Sequence, residues 1–265
     1  MARWGGVVLI MPYRDKRLVA ASFSRAASSY DQVAGLQRRI ADRLRNWLTD
    51  ENHNLVVDLG SGTGYANSWL NPLAKLLVNL DLAEGMLHFA KSQSNRGLFV
   101  AGDAEQLPLA SNSVDLIWSS LALQWSEQPE KLFSELYRVT KPGARILIAT
   151  LGPQTLNELR AAWLQADKHQ HVNQFADIDH WLKQAEGFDL VRHEQVDEVE
   201  EYQELRQLLR ELRDLGAHNV NPERRPGLGG QSSLRAMYAA YEAMRKANGK
   251  LPATYEVHYM ELTRR

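Results

Sequence analysis

Residues 55–64 read Leu55-Val56-Val57-Asp58-Leu59-Gly60-Ser61-Gly62-Thr63-Gly64, an apolar run that carries one acid and then glycine at every second position. The run has the length and composition of a buried strand, and residues 65–70 after the glycines have helical character. A glycine-rich turn between a strand and a helix lets the backbone turn sharply and approach a ligand closely, at the carboxyl edge of a sheet where α/β folds bind nucleotides.

Working outward, strands are expected at 76–82, 98–101, 114–119 and 145–151. Helices are expected at 85–92 and 129–139, the latter stopping at Lys141-Pro142-Gly143. Apolar strands alternating with helices imply parallel pairing, right-handed crossovers and a sheet covered on both faces. Before this core, Val33, Leu36, Ile40, Leu44 and Leu48 recur at helical spacing, and a shorter helical stretch spans 18–30, so an N-terminal arm is expected. After it, helices at 156–166, 178–186, 204–215 and 234–247 flank two more strands, 190–199 and 255–262. The two helices between those strands read as an insertion bounded by the loop 221–230. The organisation expected is a single domain: tail and arm over 1–50, core over 51–202, helical lid over 203–250 and the last core strand over 251–265. Its sheet is mostly parallel and seven-stranded.

The chemistry lies at three successive strand ends. Asp58, inside the first strand, would repel a pyrophosphate but welcome an ammonium group, and the following helix start offers no basic residue for phosphate. Asp81, in Asn79-Leu80-Asp81-Leu82, stands about 20 residues after the glycines, where such folds hold ribose hydroxyls. Asp103, in Gly102-Asp103-Ala104, can accept from an exocyclic adenine amine, with Leu82 and Met86 as apolar walls for the ring. Three carboxylates without a phosphate-binding lysine describe a cationic nucleoside, the character of S-adenosylmethionine.

Through Asp58 to Gly64, Asp81, Asp103 and Lys141-Pro142-Gly143, the core resembles the Rossmann-like class I S-adenosylmethionine-dependent methyltransferases. A closer resemblance runs nearly end to end. Phe23-Ser24-Arg25-Ala26-Ala27, Tyr30-Asp31, Gln37, Ser119-Ser120-Leu121-Ala122-Leu123-Gln124-Trp125, and the stretches 159–163, 171–175, 212–216 and 254–255 are similar to the malonyl-[acyl-carrier protein] O-methyltransferases of biotin synthesis. Ser61 stands where many relatives have cysteine. The resemblance implies a cofactor site of Asp58, Gly60, Ser61, Gly62, Gly64, Asp81, Leu82, Met86, Asp103, Ala104, Ser120 and Leu121. It implies substrate positioning by Tyr30, Gln124 and Trp125, with no general base and with an unidentified arginine on the malonyl carboxylate. The methyl ester would mask that charge for chain elongation toward pimelate.

Plainer readings exist. Tyr30 and Trp125 can be packing aromatics, and Arg206, Arg210 and Arg213, on one helix face, can be a solvated face rather than a dock for an acidic acyl-carrier protein. Alternatives for the whole chain are a methyltransferase of the same fold acting on another small acid or a quinone, and a non-methylating assembly factor or hydroxylase. Composition bounds the rest. The 265 residues carry a net charge of -1 and no cysteine, which excludes disulfides and thiolate chemistry and disfavours a generic nucleic-acid binder. His169 and His171 stand without an acid or cysteine cluster, so no metal is expected. The apolar run 7–11, followed by Pro12, is too short for a signal core or a span. It reads as a tail, with Met1 or Met11 as the start, and a soluble cytoplasmic protein is expected.

Overall fold

Alternate residues of the first strand face opposite sides of the sheet, and the two hydrophobic cores begin there. The computed structural model describes residues 15–94, 96–216 and 231–265; the apolar run 7–11, both start candidates and the loop 221–230 lie outside them. In β1 (His53–Leu59), Val56 belongs to one core and its neighbour Val57 to the other, and both are fully buried.

The strands β2 (Ala74–Asp81), β3 (Leu98–Ala101), β4 (Val114–Ser120), β5 (Thr140–Leu151), β6 (Phe188–Tyr202) and β7 (Leu251–Arg264) complete a seven-stranded sheet among the described residues. Its order is β3-β2-β1-β4-β5-β7-β6. Strands β1 to β5 pair in parallel, while β7 runs antiparallel to both β5 and β6. After β1 the chain moves outward to β2, and later it returns to place β4 on the other side of β1. This reversal opens a crevice at the carboxyl ends of β1 and β4.

One face of the sheet is covered by α2 (Gly35–Arg45), whose Leu36, Ile40 and Leu44 are buried, and by α6 (Asn157–Leu164), α8 (Leu205–Asp214) and α9 (Gln231–Glu242). The other is covered by α5 (Pro129–Val139), through Leu132, Phe133 and Leu136, and α7 (Ile178–Gln184), through Trp181. The short α3 (Asn67–Leu70) follows the glycine turn and α4 (Glu84–Gln93) follows β2. The helices α8 and α9 lie in sequence between β6 and β7, and no helix among the described residues is long and apolar enough to cross a membrane.

Three expectations need correction. The helix expected at 65–70 starts only at Asn67, because Gly62 and Gly64 hold left-handed φ angles of 53° and 79° that keep the chain turning. The segment Lys141-Pro142-Gly143 does follow the helix, but it also lies inside β5. There the pairing shifts from Val114 with Thr140 to Leu116 with Arg145, a bulge with Gly143 at φ 78°. Strands β6 and β7 run to fifteen and fourteen residues, longer than their apolar pattern suggests, since they pair with one another over their whole length.

The arm helix α1 (Lys16–Val33) starts at Asp15, whose side chain caps it, and lies against α4. The contact is close at Gly85: a Cβ there would stand 2.8 Å from the Ser24 backbone, and the Gly85 amide donates to Ser24 Oγ at 3.2 Å. Alanine normally favours a helix over glycine by ~1 kcal/mol. Here the clash is expected to reverse the sign, so Gly85→Ala should lose about 1–2 kcal/mol in urea denaturation. A gain in stability would show that α1 does not rest on α4 in solution.

Candidate active site

The glycine turn is bonded onto the end of β2. The Gly60 and Ser61 amides both donate to the Leu80 carbonyl, at 2.7 and 3.2 Å, and the Gly62 amide donates to Asp81 Oδ2 at 2.8 Å. The Ala83 amide holds the other Asp81 oxygen at 2.7 Å. Gly60 has φ 74° and faces Ala122, whose Cβ would stand 2.1 Å from any Cβ added there. Only glycine lets the turn close against the segment that follows β4.

Asp58 and Asp81 end adjacent strands and sense one another. Burial, and next the Asp81 charge, push the Asp58 carboxyl up to about 8, and its Oδ2 has no hydrogen-bond partner. Burial also raises Asp81, but the Ala83, Gly62 and Leu82 amides oppose it.

Three cavities meet here. The first runs over the ends of β1, β2, β3 and β4 and is lined by Gly60, Gly62, Asp81, Leu82, Met86, Asp103, Ala104, Ser120, Leu121 and Trp125, with Phe23 and Val19 from the arm. The second lies under α8 and is lined by Gln37, Gln124, Trp125, Leu156, His171, Asn173, Leu212, Leu215 and Tyr255. The third is a niche containing Asp58, Gly60, Ser61, Gly62, Arg38, Ser120 and Leu121. Gly64 lines none of them; its backbone turns against Asn67 and Ala90.

Tyr30 and Leu121 border all three cavities, and Phe23 and Trp125 border the first two. Phe23 meets Trp125 edge-on at 5.5 Å and Tyr30 at 6.4 Å between ring centroids. This aromatic row forms the wall between the strand-end cleft and the chamber under α8. Burial, then Asp81 and Asp31, raise the Tyr30 phenol far above its ordinary value, so it stays protonated and can donate but not abstract a proton. Gln124 is anchored within its own turn, its Nε2 donating to the Leu121 carbonyl at 2.7 Å. Leu121 (φ 56°) and Leu156 (φ 54°) are left-handed non-glycine residues at the chamber. Their amides are fixed to Ala149 at 2.8 Å and to Thr254 at 2.6 Å.

Sequence reasoning missed several groups. Lys16 Nζ lies 2.9 Å from both Asp103 oxygens and 2.5 Å from Glu105 Oε2, so Asp103 is already paired with a cation. Burial alone would raise Glu105. Lys16, the Gln128 amide and the Ser126 hydroxyl instead hold it below the usual carboxylate range. In the chamber, Gln37 Oε1 and Asn173 Oδ1 are buried without a partner. His171 stacks on Trp163 at 3.6 Å and bonds Asp167 at 2.8 Å. No arginine or lysine among the described residues lines the chamber, so the arginine expected on the acceptor is not found there. Arg206, Arg210 and Arg213 lie exposed on α8, and Arg213 pairs with Asp214 at 3.1 Å. Lys16 belongs to no periodic pattern or motif, and it meets Asp103 and Glu105 only when distant segments come together.

A methyltransferase domain family matches residues 57–148. The malonyl-[acyl-carrier protein] O-methyltransferase of Laribacter hongkongensis is 41% identical over 267 residues, covering 93% of this chain and 89% of the relative. The biotin biosynthesis bifunctional protein BioHC of Cellvibrio japonicus is 43% identical over 253 residues, 94% of this chain but 50% of the relative, so the chain spans about half the length of that bifunctional protein. Among solved structures, the YcgJ protein of Bacillus subtilis shares the fold with a TM-score of 0.59 at 16% identity, covering 85% of this chain and 97% of that one. With its similarity to the Laribacter protein extending over nearly the whole of both chains, this chain belongs to the malonyl-[acyl-carrier protein] O-methyltransferase family.

Proposed function

We propose that the protein transfers a methyl group from S-adenosylmethionine to the free carboxylate of a malonyl thioester carried on acyl-carrier protein, an early step of biotin synthesis, and that it works in the cytoplasm. The observation that carries this reading is the single aromatic wall of Tyr30, Phe23 and Trp125 between a carboxylate-lined cleft and a separate chamber. A donor on one side and an acceptor on the other would meet at that wall. The donor fits the residues present. Asp58 offers an unpaired buried oxygen to an ammonium, Asp81 is oriented by two backbone amides with acceptor capacity left for ribose hydroxyls, and Leu82, Met86 and Ala104 offer apolar surface to a base. When bound, the donor supplies an electrophilic methyl group on a sulfonium.

The rest is positioning. A carboxylate with an ordinary pKa of ~4 is ionised at neutral pH, so the acceptor needs no base, and no metal is invoked. Tyr30 keeps its proton and can donate one hydrogen bond to the acceptor. The Gln37 and Asn173 amides can do the same if each flips so that its NH2 end takes the place of the orphaned oxygen. Neutral donors suit a nucleophilic carboxylate, because they orient it without the tight bidentate hold of an arginine. Gln124 braces the turn that carries Leu121 and Trp125, and the aromatic wall keeps water away. The helices α8 and α9 act as the lid. Leu212 and Leu215 at the end of α8 face the chamber while Arg206 and Arg210 face outward, so a carrier docked on the arginines would stand beside the chamber its prosthetic arm enters.

Intact-protein mass spectrometry of malonyl-acyl-carrier protein with S-adenosylmethionine tests the reaction, with malonyl-coenzyme A and a succinyl carrier as controls. A methyl group added preferentially to the malonyl carrier is expected. Its absence on every thioester, with the donor still bound, would send the acceptor assignment back to free acids or quinones. Charge reversal at Arg206 and Arg210 should weaken carrier binding at low salt about 10-fold or more and leave donor binding unchanged. Equal carrier affinity would make those arginines a solvated face.

The raised Asp58 pKa fixes a pH dependence. Without ligand, Asp58 holds a proton below about pH 8 that the unfolded chain has already lost, so between its ordinary value and about 8 its contribution to stability falls as pH rises. An ammonium beside it favours the carboxylate, so ligand binding expels that proton. Calorimetry in buffers of different ionisation enthalpy should show release of about one proton near pH 7, with affinity rising up to about tenfold per pH unit below 8. Asp58→Asn should abolish the release; proton release that survives in that variant would remove Asp58 from the ammonium site.

A further inference from the structure

The niche beside the glycine turn contains an unsatisfied donor as well as an unsatisfied acceptor. Arg38, on α2, lines the same cavity as Asp58, Gly60, Ser61 and Gly62. One edge of its guanidinium is occupied: Nη2 stands 3.4 Å from Asp31 Oδ1, an oxygen that also takes the Thr63 hydroxyl's hydrogen bond at 2.8 Å. One face is occupied too, with Cζ 5.1 Å from the Tyr65 ring centroid. The Nε–H is buried and has no partner, and in the same niche Asp58 Oδ2 is buried and has none. Leaving a shielded donor or acceptor without a hydrogen bond is costly, so an unmet N–H and an unmet carboxyl oxygen in one cavity are complementary to a ligand that carries both partners.

That ligand must carry a cation and an anion on a short scaffold. An α-amino acid zwitterion has this form, and the methionine end of S-adenosylmethionine is one. With its ammonium on Asp58, its carboxylate would need a donor in the same niche. Arg38 is the only arginine or lysine among the described residues that lines it. The guanidinium is already oriented by Asp31 and Tyr65, so little side-chain freedom is lost when it engages a carboxylate. We propose that Arg38 binds the α-carboxylate of the donor's methionine moiety through its free Nε edge, making α2 part of the cofactor site. The inference rests on the donor assignment made above.

The test deletes each partner in turn and reads binding, not turnover. Calorimetric titrations compare S-adenosylmethionine with decarboxylated S-adenosylmethionine, which keeps the nucleoside, sulfonium and amine but lacks the carboxylate. The proteins are wild type, Arg38→Met and Arg38→Lys. Wild type should prefer the carboxylate-bearing ligand by about 10- to 100-fold. Arg38→Met should lose that preference, its affinity for S-adenosylmethionine falling by about the same factor while decarboxylated ligand changes less than about threefold. Arg38→Lys should recover part of the preference. Equal affinity of wild type for the two ligands overturns the proposal even if no variant folds. So does a parallel loss of both ligands in Arg38→Met, which would assign Arg38 to holding the Asp31–Thr63 turn. Failure of wild type to bind either sulfonium would instead reject the donor assignment on which the proposal rests.

Discussion

The 2.8 Å hydrogen bond from the Gly62 amide to the Asp81 carboxylate ties the turn after β1 to the end of β2, and the site is arranged around it. With the Gly60 and Ser61 amides on the Leu80 carbonyl, it holds the glycine turn flat against the sheet edge. The same bond fixes one oxygen of Asp81 while Ala83 fixes the other, so the carboxylate has one orientation before any ligand arrives. Closure of the turn then requires Gly60 to meet Ala122, which sets where the segment after β4 can run. That segment bends at Leu121 with φ 56°, and the bend brings Trp125 against Phe23 of the arm. A backbone contact at one strand end is thus carried through a strained residue to the aromatic wall 60 residues later in the chain.

The arm makes this wall complete, and it is held at three places of different chemistry. Gly85 lets α1 press on α4, Lys16 anchors the start of α1 to Asp103 and Glu105, and Gly216 at the end of α8 packs on Ser22. The first contact is steric, the second is an ion pair at a partly buried carboxylate, and the third joins the arm to the end of α8. The strand-end cleft and the chamber under α8 are therefore both walled by one helix.

The sequence discloses what rests on periodicity and conceals what rests on pairing. Strands β1, β3 and β4 are short apolar runs bounded by glycines and acids, and their expected limits differ little from those observed. Strand β6 is different. Its residues Arg192, Glu194, Glu198 and Glu200 put charges along one face of an edge strand, with Asp197 on the other, and its full extent appears only in its register against β7. Within the site, Asp58, Asp81 and Asp103 were legible because each follows an apolar run at a strand end. Lys16 was not, since its partner lies 87 residues away. By helical spacing Arg38 is one more arginine of α2, and nothing in that spacing separates a side chain lining the niche from Arg39 and Arg43, which pair with Glu200 and Glu194 on β6. Gln124 was legible as a motif residue, but it donates to the Leu121 carbonyl and accepts from the Thr150 hydroxyl, a bracing role that the motif does not specify.

The three acids also set this edge of the sheet against phosphate groups. They are of one residue type, yet the surroundings give them three different states. Asp103 is paired with Lys16, Asp81 is held by backbone donors, and Asp58 is left with burial and a like charge, which favour its protonated form. A phosphate entering at the turn would meet Asp58 and Asp81 while forfeiting the Gly62 amide, which already donates to Asp81. The donors that dinucleotide sites aim at phosphate are here aimed at a carboxylate instead. A bias against phosphates is therefore built into the backbone geometry of the turn, and a cation is the group that can relieve both acids at once.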